Sequence, residues 1–112
     1  MKVGIIGLGY VGLPLAVAFG EAGHDVVGVD TDARVVEGLA AGRSQVEDVP
    51  SERLTALAQR LTATTDHSPL ADCDAVLICV PTPLANQREP DLTYIADAGR
   101  SLAGVLREGQ LV

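Results

Sequence analysis

Aromatic residues are nearly absent from this chain: Tyr10, Phe19 and Tyr94 are the only three, and tryptophan is missing. A core must therefore come from Val, Leu, Ile and Ala, in a chain of 112 residues that is 47% apolar, which is the composition of a compact α/β domain. Basic residues are scarce as well. Eight Lys and Arg stand against fifteen Asp and Glu, a net charge of −7, so no basic patch is expected for a nucleic acid or a membrane surface. A small anion is still compatible with that balance, because backbone amides bind it without side-chain charge. Cysteine is limited to Cys73 and Cys79, which are too far apart for a Cys-x-x-Cys redox pair and have no histidines at zinc-ligand spacing. Reduced thiols in the cytoplasm are expected, with Cys79 a buried small hydrophobe inside the apolar run 75–80. Long hydrophobic runs are missing too. The uncharged stretch after Lys2 is broken by five glycines and a proline before Glu21, which argues against a signal peptide or a membrane span. A chain of this length is one domain at most.

What is present is concentrated in residues 2–30. The apolar run 3–6 leads at once into Gly7-Leu8-Gly9-Tyr10-Val11-Gly12, a pattern that predicts a strand, a glycine turn and the start of a helix. Gly7 is expected to make the tight turn, Gly9 to let the backbone approach a pyrophosphate, and Gly12 to let the helix settle against the sheet. The helix start, carrying about half an elementary positive charge, would face the phosphates. A second strand over 26–29 ends at Asp30, eighteen residues beyond Gly12. A carboxylate there accepts hydrogen bonds from both hydroxyls of an adenosine ribose and repels the 2′-phosphate of NADP. Thr31 is not basic either, so NAD is favoured over NADP. Arg34, one turn on, is a candidate to reach the adenine face or the ribose, weighed against a solvated helix arginine.

The rest of the chain alternates in the same way. The first helix is expected over 10–22, with Leu15, Ala18, Phe19 and Ala22 on the sheet and Gly23 as its stop. A second helix over 32–41 starts at the cap Asp32 and ends at Gly42. A polar loop covers 43–50, and a third helix over 51–60 is capped by Ser51. A short edge strand follows over 61–65, then a helical turn with Ser68 as cap and Pro69 at its first position. The continuous apolar run 75–80 reads as a central parallel strand covered on both faces. In a sheet of order 3-2-1-4-5 its end, with Val80 and Thr82 of Val80-Pro81-Thr82-Pro83, would face the same crevice as Gly7. A fourth helix over 92–106, capped by Asp91 or Thr93, has Ile95, Ala98, Leu102 and Val105 along its stripe. Residues 110–112 open a further strand. The fold class is thus α/β, a doubly wound parallel sheet. His24 and His67 are assigned no chemistry.

These stretches together resemble the amino-terminal portion of the UDP-glucose/GDP-mannose dehydrogenase family. The resemblance spans the chain through Gly7-Leu8-Gly9-Tyr10-Val11-Gly12-Leu13-Pro14, Val29-Asp30-Thr31-Asp32, Glu47-Asp48-Val49-Pro50, Val80-Pro81-Thr82-Pro83-Leu84 and Arg88-Glu89-Pro90-Asp91-Leu92-Thr93-Tyr94. The third and fifth look more like the branch that oxidises UDP-N-acetylhexosamines than the UDP-glucose branch. The resemblance implies a Rossmann-type NAD-binding domain over 1–112, truncated at its carboxyl end. The parent enzyme would oxidise the C6 alcohol of a UDP-sugar to the carboxylate in two hydride transfers, for polysaccharide biosynthesis. It implies cofactor contacts at Gly7, Gly9, Tyr10, Val11, Gly12, Asp30 and Thr82, with Arg34 standing in for a basic residue that the family often carries where this chain has Val35; Thr31 and Val80 are further candidate contacts beside them. Neither cysteine lies in the glycine-rich motif of the family's nucleophile, so this chain alone would bind NAD, hold no catalytic residue and turn over no substrate. Exposed apolar surface and homo-oligomerisation are expected. Two other readings stay open: a Rossmann dehydrogenase of the 3-hydroxyacid or 6-phosphogluconate type, and an NAD-binding regulatory module without catalysis.

Overall fold

The computed structural model describes residues 1–44, 46, 49–81 and 91–112. Strand β1 (Lys2–Ile6) leads to helix α1 (Gly12–Glu21), β2 (Asp25–Val29), α2 (Ala33–Ala40), α3 (Ser51–Ala56) and β3 (Leu61–Thr64), then to a 3₁₀ turn (Ser68–Asp72), β4 (Ala75–Ile78) and α4 (Thr93–Ala103). The strands form one parallel sheet of order β3-β2-β1-β4, the doubly wound arrangement expected. Residues 110–112, expected to open a further strand, form only an isolated parallel bridge between Leu111 and Ala75.

Alternation along the strands distributes the core over both faces of the sheet. Val3, Ile5 and Val26 point to the side of α1 and cluster with Leu8 and Ala16. Ile6, Val27, Val29 and Val76 point the other way, onto Leu70 and Cys73 of the 3₁₀ turn and Ala98 and Leu102 of α4. The run 75–80 is strand only to Ile78, and β4 is the outer strand of the four rather than a central one; both its faces are packed, yet only Val76 is fully buried there.

Several expected boundaries and faces need correction. Helix α1 begins at Gly12 rather than residue 10, because the turn uses residues 8–11 to reverse the chain. Its buried residues are Gly12, Leu13, Ala16, Val17 and Gly20, while Ala18 and Ala22 are exposed and Leu15 and Phe19 half-buried. The helix is apolar nearly all round, so spacing could not choose its face. Leu13 and Val17 turn instead toward Leu54 and Leu57, together with Val46 and Val49, so the loop 43–50 is not simply polar: its two valines are core. Helix α3 stops at Ala56, where the chain tightens into i→i−3 bonds from Leu57 and Ala58 to Leu54 and Thr55. Pro50, not Ser51, is its cap residue; the Ser51 hydroxyl instead accepts the Ser44 N–H at 3.2 Å. Likewise Ser68 lies inside the 3₁₀ turn, and Asp66 accepts both its N–H and its hydroxyl. Those two bonds hold the Asp66 carboxyl below its ordinary range. Helix α4 runs Thr93–Ala103 rather than 92–106, and its cap residue is Leu92 rather than Asp91 or Thr93, although Asp91 accepts the Thr93 N–H at 2.9 Å. Ile95, expected on the stripe, is exposed.

Candidate dinucleotide-binding site

Parallel strands bring their carboxyl ends to one edge, and β1 lies between β2 and β4 there. The Gly7 N–H donates to Val29 O at 2.8 Å, and the Cys79 N–H donates to Ile6 O at 2.7 Å, so the glycine turn is gripped from both sides. Gly7 has φ +95°, and a Cβ on it would lie 2.5 Å from Cys79 O. At Gly12 a Cβ would lie 1.6 Å from Gly7 O, so the head of α1 rests directly on the turn. Both glycines answer a demand made by the protein itself.

Gly9 does not. Its φ is outside the left-handed region, and a Cβ there would meet no atom within 4 Å. Neither crowding nor backbone conformation requires a glycine there, and the backbone is open to approach from outside. The residues beside it agree. Val11 caps α1 without a side-chain hydrogen bond, and no acid occupies the first turn. The Leu13 N–H returns to Gly9 O at 3.1 Å, while the amides of Tyr10, Val11 and Gly12 meet no acceptor among the described residues. Free amides at a helix start are able to receive an anion. Tyr10 and Val11 flank it with side chains 83% and 62% exposed.

Asp30 stands across the turn at the tip of β2, half-buried. Its Oδ2 accepts the Leu8 N–H at 3.0 Å and its Oδ1 the Asp32 N–H at 2.9 Å. Nothing in the sequence marks Leu8 for this contact, since any residue can stand between two glycines. Its side chain is buried against Gly28, where a Cβ would lie 2.7 Å from Leu8 Cδ2. Thr31 is exposed beside Asp30. Asp32 caps α2 as expected, accepting the Arg34 N–H at 2.9 Å.

Arg34 itself, 87% exposed, turns back on Asp32 through Nε and Nη2, each 3.3 Å from a carboxylate oxygen. The guanidinium bond, ahead of the backbone one, holds the Asp32 carboxyl below its ordinary range, and the same contact raises Arg34. Val35, at the position often basic in the resembled family, packs on the core cluster around Val3 and Ile5. Val80 is half-buried against the Leu70 cluster, and Thr82 lies outside the described residues.

Cys73 is buried, while Cys79, expected buried, is half-buried; burial raises both thiols, which leaves them protonated at neutral pH and poor nucleophiles. Among the described residues no group of three or more His, Cys, Asp or Glu is placed to hold a metal, and no helix is long and apolar enough to cross a membrane. A cleft of about 650 Å³ lined by Gly20, Gly23, Thr55 and Arg60 opens at the amino ends of the strands, away from the crevice where α/β sheets bind ligands.

Residues 1–112 match the NAD-binding domain of the UDP-glucose/GDP-mannose dehydrogenase family. The UDP-N-acetyl-D-mannosamine dehydrogenase of Escherichia coli K12 is 42% identical over 98% of this chain and 26% of its own length. The NDP-N-acetyl-D-galactosaminuronic acid dehydrogenase of Ralstonia nicotianae is 38% identical over the same shares. The solved structure of the UDP-D-ManNAc dehydrogenase from Pyrococcus horikoshii superposes with a TM-score of 0.93 at 36% identity, covering 100% of this chain and 27% of that one. The chain thus spans about a quarter of the length of the relatives it matches.

Proposed function

Because the chain belongs to the UDP-glucose/GDP-mannose dehydrogenase family through its NAD-binding domain, we propose that it is the cofactor-holding part of an enzyme that oxidises the C6 alcohol of a UDP-N-acetylhexosamine to the carboxylate. The observation that carries this reading is the uncapped head of α1 beside the unobstructed Gly9, with Asp30 facing it. The amides of Tyr10, Val11 and Gly12 hold the pyrophosphate, and Gly7 and Gly12 keep the turn tight beneath it. Asp30 accepts from the ribose hydroxyls, with the neutral Thr31 beside it. Val80, at the end of the β4 run, contributes from that side, the Thr82 hydroxyl is a further cofactor contact of the proposal, and Arg34, paired with Asp32, flanks the adenosine end. When bound, NAD supplies the hydride acceptor of the dehydrogenase. The N-acetylhexosamine preference is supported by the names of the two relatives above and by Glu47-Asp48-Val49-Pro50.

Isothermal titration checks the cofactor assignment. NAD is expected to bind at least about tenfold more tightly than NADP, since a 2′-phosphate beside a carboxylate loses more than about 1.4 kcal/mol. NADP binding as tightly as NAD, or steady NADH production from NAD and UDP-N-acetylglucosamine by this chain alone, would contradict the reading.

Work in the cytoplasm and in polysaccharide biosynthesis accompanies the proposal, as does the lack of a nucleic-acid or membrane partner, which the net charge of −7 supports. Self-association is also part of it. Leu92, Tyr94, Ile95, Leu106 and Leu111 are all exposed, and apolar surface of this kind favours contact between copies. Size-exclusion chromatography should show apparent mass rising with concentration; a constant monomer would refute the oligomer.

A further inference from the structure

The Asp30 carboxylate is held by two backbone amides of the protein itself, and they lie on two different loops. Oδ2 takes the Leu8 N–H at 3.0 Å from the glycine turn, a contact spanning 22 residues, and Oδ1 takes the Asp32 N–H at 2.9 Å from the start of α2. An ionised carboxylate has about four lone-pair sites, so two such bonds leave room for two hydroxyls. Hydrogen bonds to an ionised acceptor are roughly twice as strong as neutral ones. The Leu8 contact falls between Gly7, whose N–H is held by Val29 O, and Gly9, whose carbonyl receives the Leu13 N–H. It therefore anchors the middle of the segment that aims the Tyr10, Val11 and Gly12 amides.

We propose that Asp30 is a positioning residue for the pyrophosphate as well as a partner of the ribose: by holding the Leu8 N–H it keeps the glycine turn in its anion-binding shape. The inference rests on the NAD-binding reading and deepens it. Pre-ordering of this kind removes an ordering cost that binding would otherwise bear. A carboxylate that only gripped the pentose would matter to no ligand lacking the hydroxyls. One that also holds the turn matters to any dinucleotide.

Two measurements separate these roles. In the first, wild type and Asp30→Ala are titrated with NAD and with its analogue carrying a 2′,3′-dideoxyadenosine. The variant is expected to bind the dideoxy analogue at least about fivefold more weakly than wild type does. Removing a negative charge near a diphosphate acts in the opposite direction, so affinity equal to or tighter than wild type for that analogue overturns the proposal.

The second measurement is amide hydrogen exchange without ligand. Leu8 is expected to exchange at least about tenfold faster in Asp30→Ala while Val27, in the core of β2, stays unchanged. Asp30→Asn, which keeps one acceptor oxygen, serves should the alanine variant not fold, and in it either Leu8 or Asp32 should lose protection. Unchanged exchange at both amides overturns the proposal. Failure of wild type to bind NAD would instead defeat the cofactor reading, and the exchange result would still decide whether Asp30 holds the turn.

Discussion

Gly9→Ala is expected to give a folded protein that binds NAD at least about tenfold more weakly, and Gly12→Ala a protein that does not fold properly. The two substitutions add the same methyl group three positions apart, and the structure separates their fates. At Gly9 the new Cβ meets no atom within 4 Å and the backbone is not left-handed, so stability should change by no more than about 0.5 kcal/mol. The methyl group would occupy the surface on which the pyrophosphate is proposed to lie, and affinity should fall at least about tenfold, or 1.4 kcal/mol. At Gly12 the Cβ would sit 1.6 Å from Gly7 O. That oxygen belongs to a backbone tied to β2, so no side-chain rotation relieves the clash, and the cost should reach or exceed about 3 kcal/mol. Thermal melts and titration with NAD check both. A stable Gly9→Ala protein with unchanged affinity would leave the glycine without a purpose.

Leu70→Ala should be the most damaging simple truncation away from the crevice. Leu70 has no exposed surface and joins Ile6, Val27 and Val29 of the sheet to Ala98 and Leu102 of α4. One of its methyl groups occupies the space that a side chain on Gly4 would take, its Cδ2 lying 2.5 Å from a Cβ built there. The carbonyls of Leu70, Ala71 and Cys73 also hold the Gln110 amide, so the same turn anchors the segment that reaches Leu111. Emptying this site should cost about 3 kcal/mol and lower the melting temperature by roughly 10 °C. A loss under about 1 kcal/mol in a denaturant titration would mean that α4 does not depend on this contact.

What could be read without coordinates was whatever the chain states locally. The run 3–6, three glycines at fixed spacing and an acid eighteen residues later describe a strand, a turn, a helix and a strand tip, because each step depends on neighbours in sequence. Gly23 and Gly42, both with positive φ, ended their helices as expected for the same reason. Contacts between distant segments were not legible. Nothing in the spacing of Val46 and Val49 distinguishes them from loop residues until Leu13 and Val17 of α1 are placed above them. The apolar circumference of α1 hid its true face for a related reason. At the site, Asp30 could be found by chemistry and distance, whereas its bond to the Leu8 amide could not. A backbone N–H is present at almost every position, and only folding selects one.

The central claim is that the amides heading α1 receive a diphosphate while Asp30 faces the adjoining ribose. Titrating isotope-labelled protein with NAD and following its backbone amide resonances tests this most directly. The largest shifts should fall on Tyr10, Val11 and Gly12, with Leu8 and Thr31 next, while Gly23 and Arg60 at the far end of the sheet stay still. Largest shifts at Gly23 and Arg60, or none at the glycine turn at saturating NAD, would contradict the account.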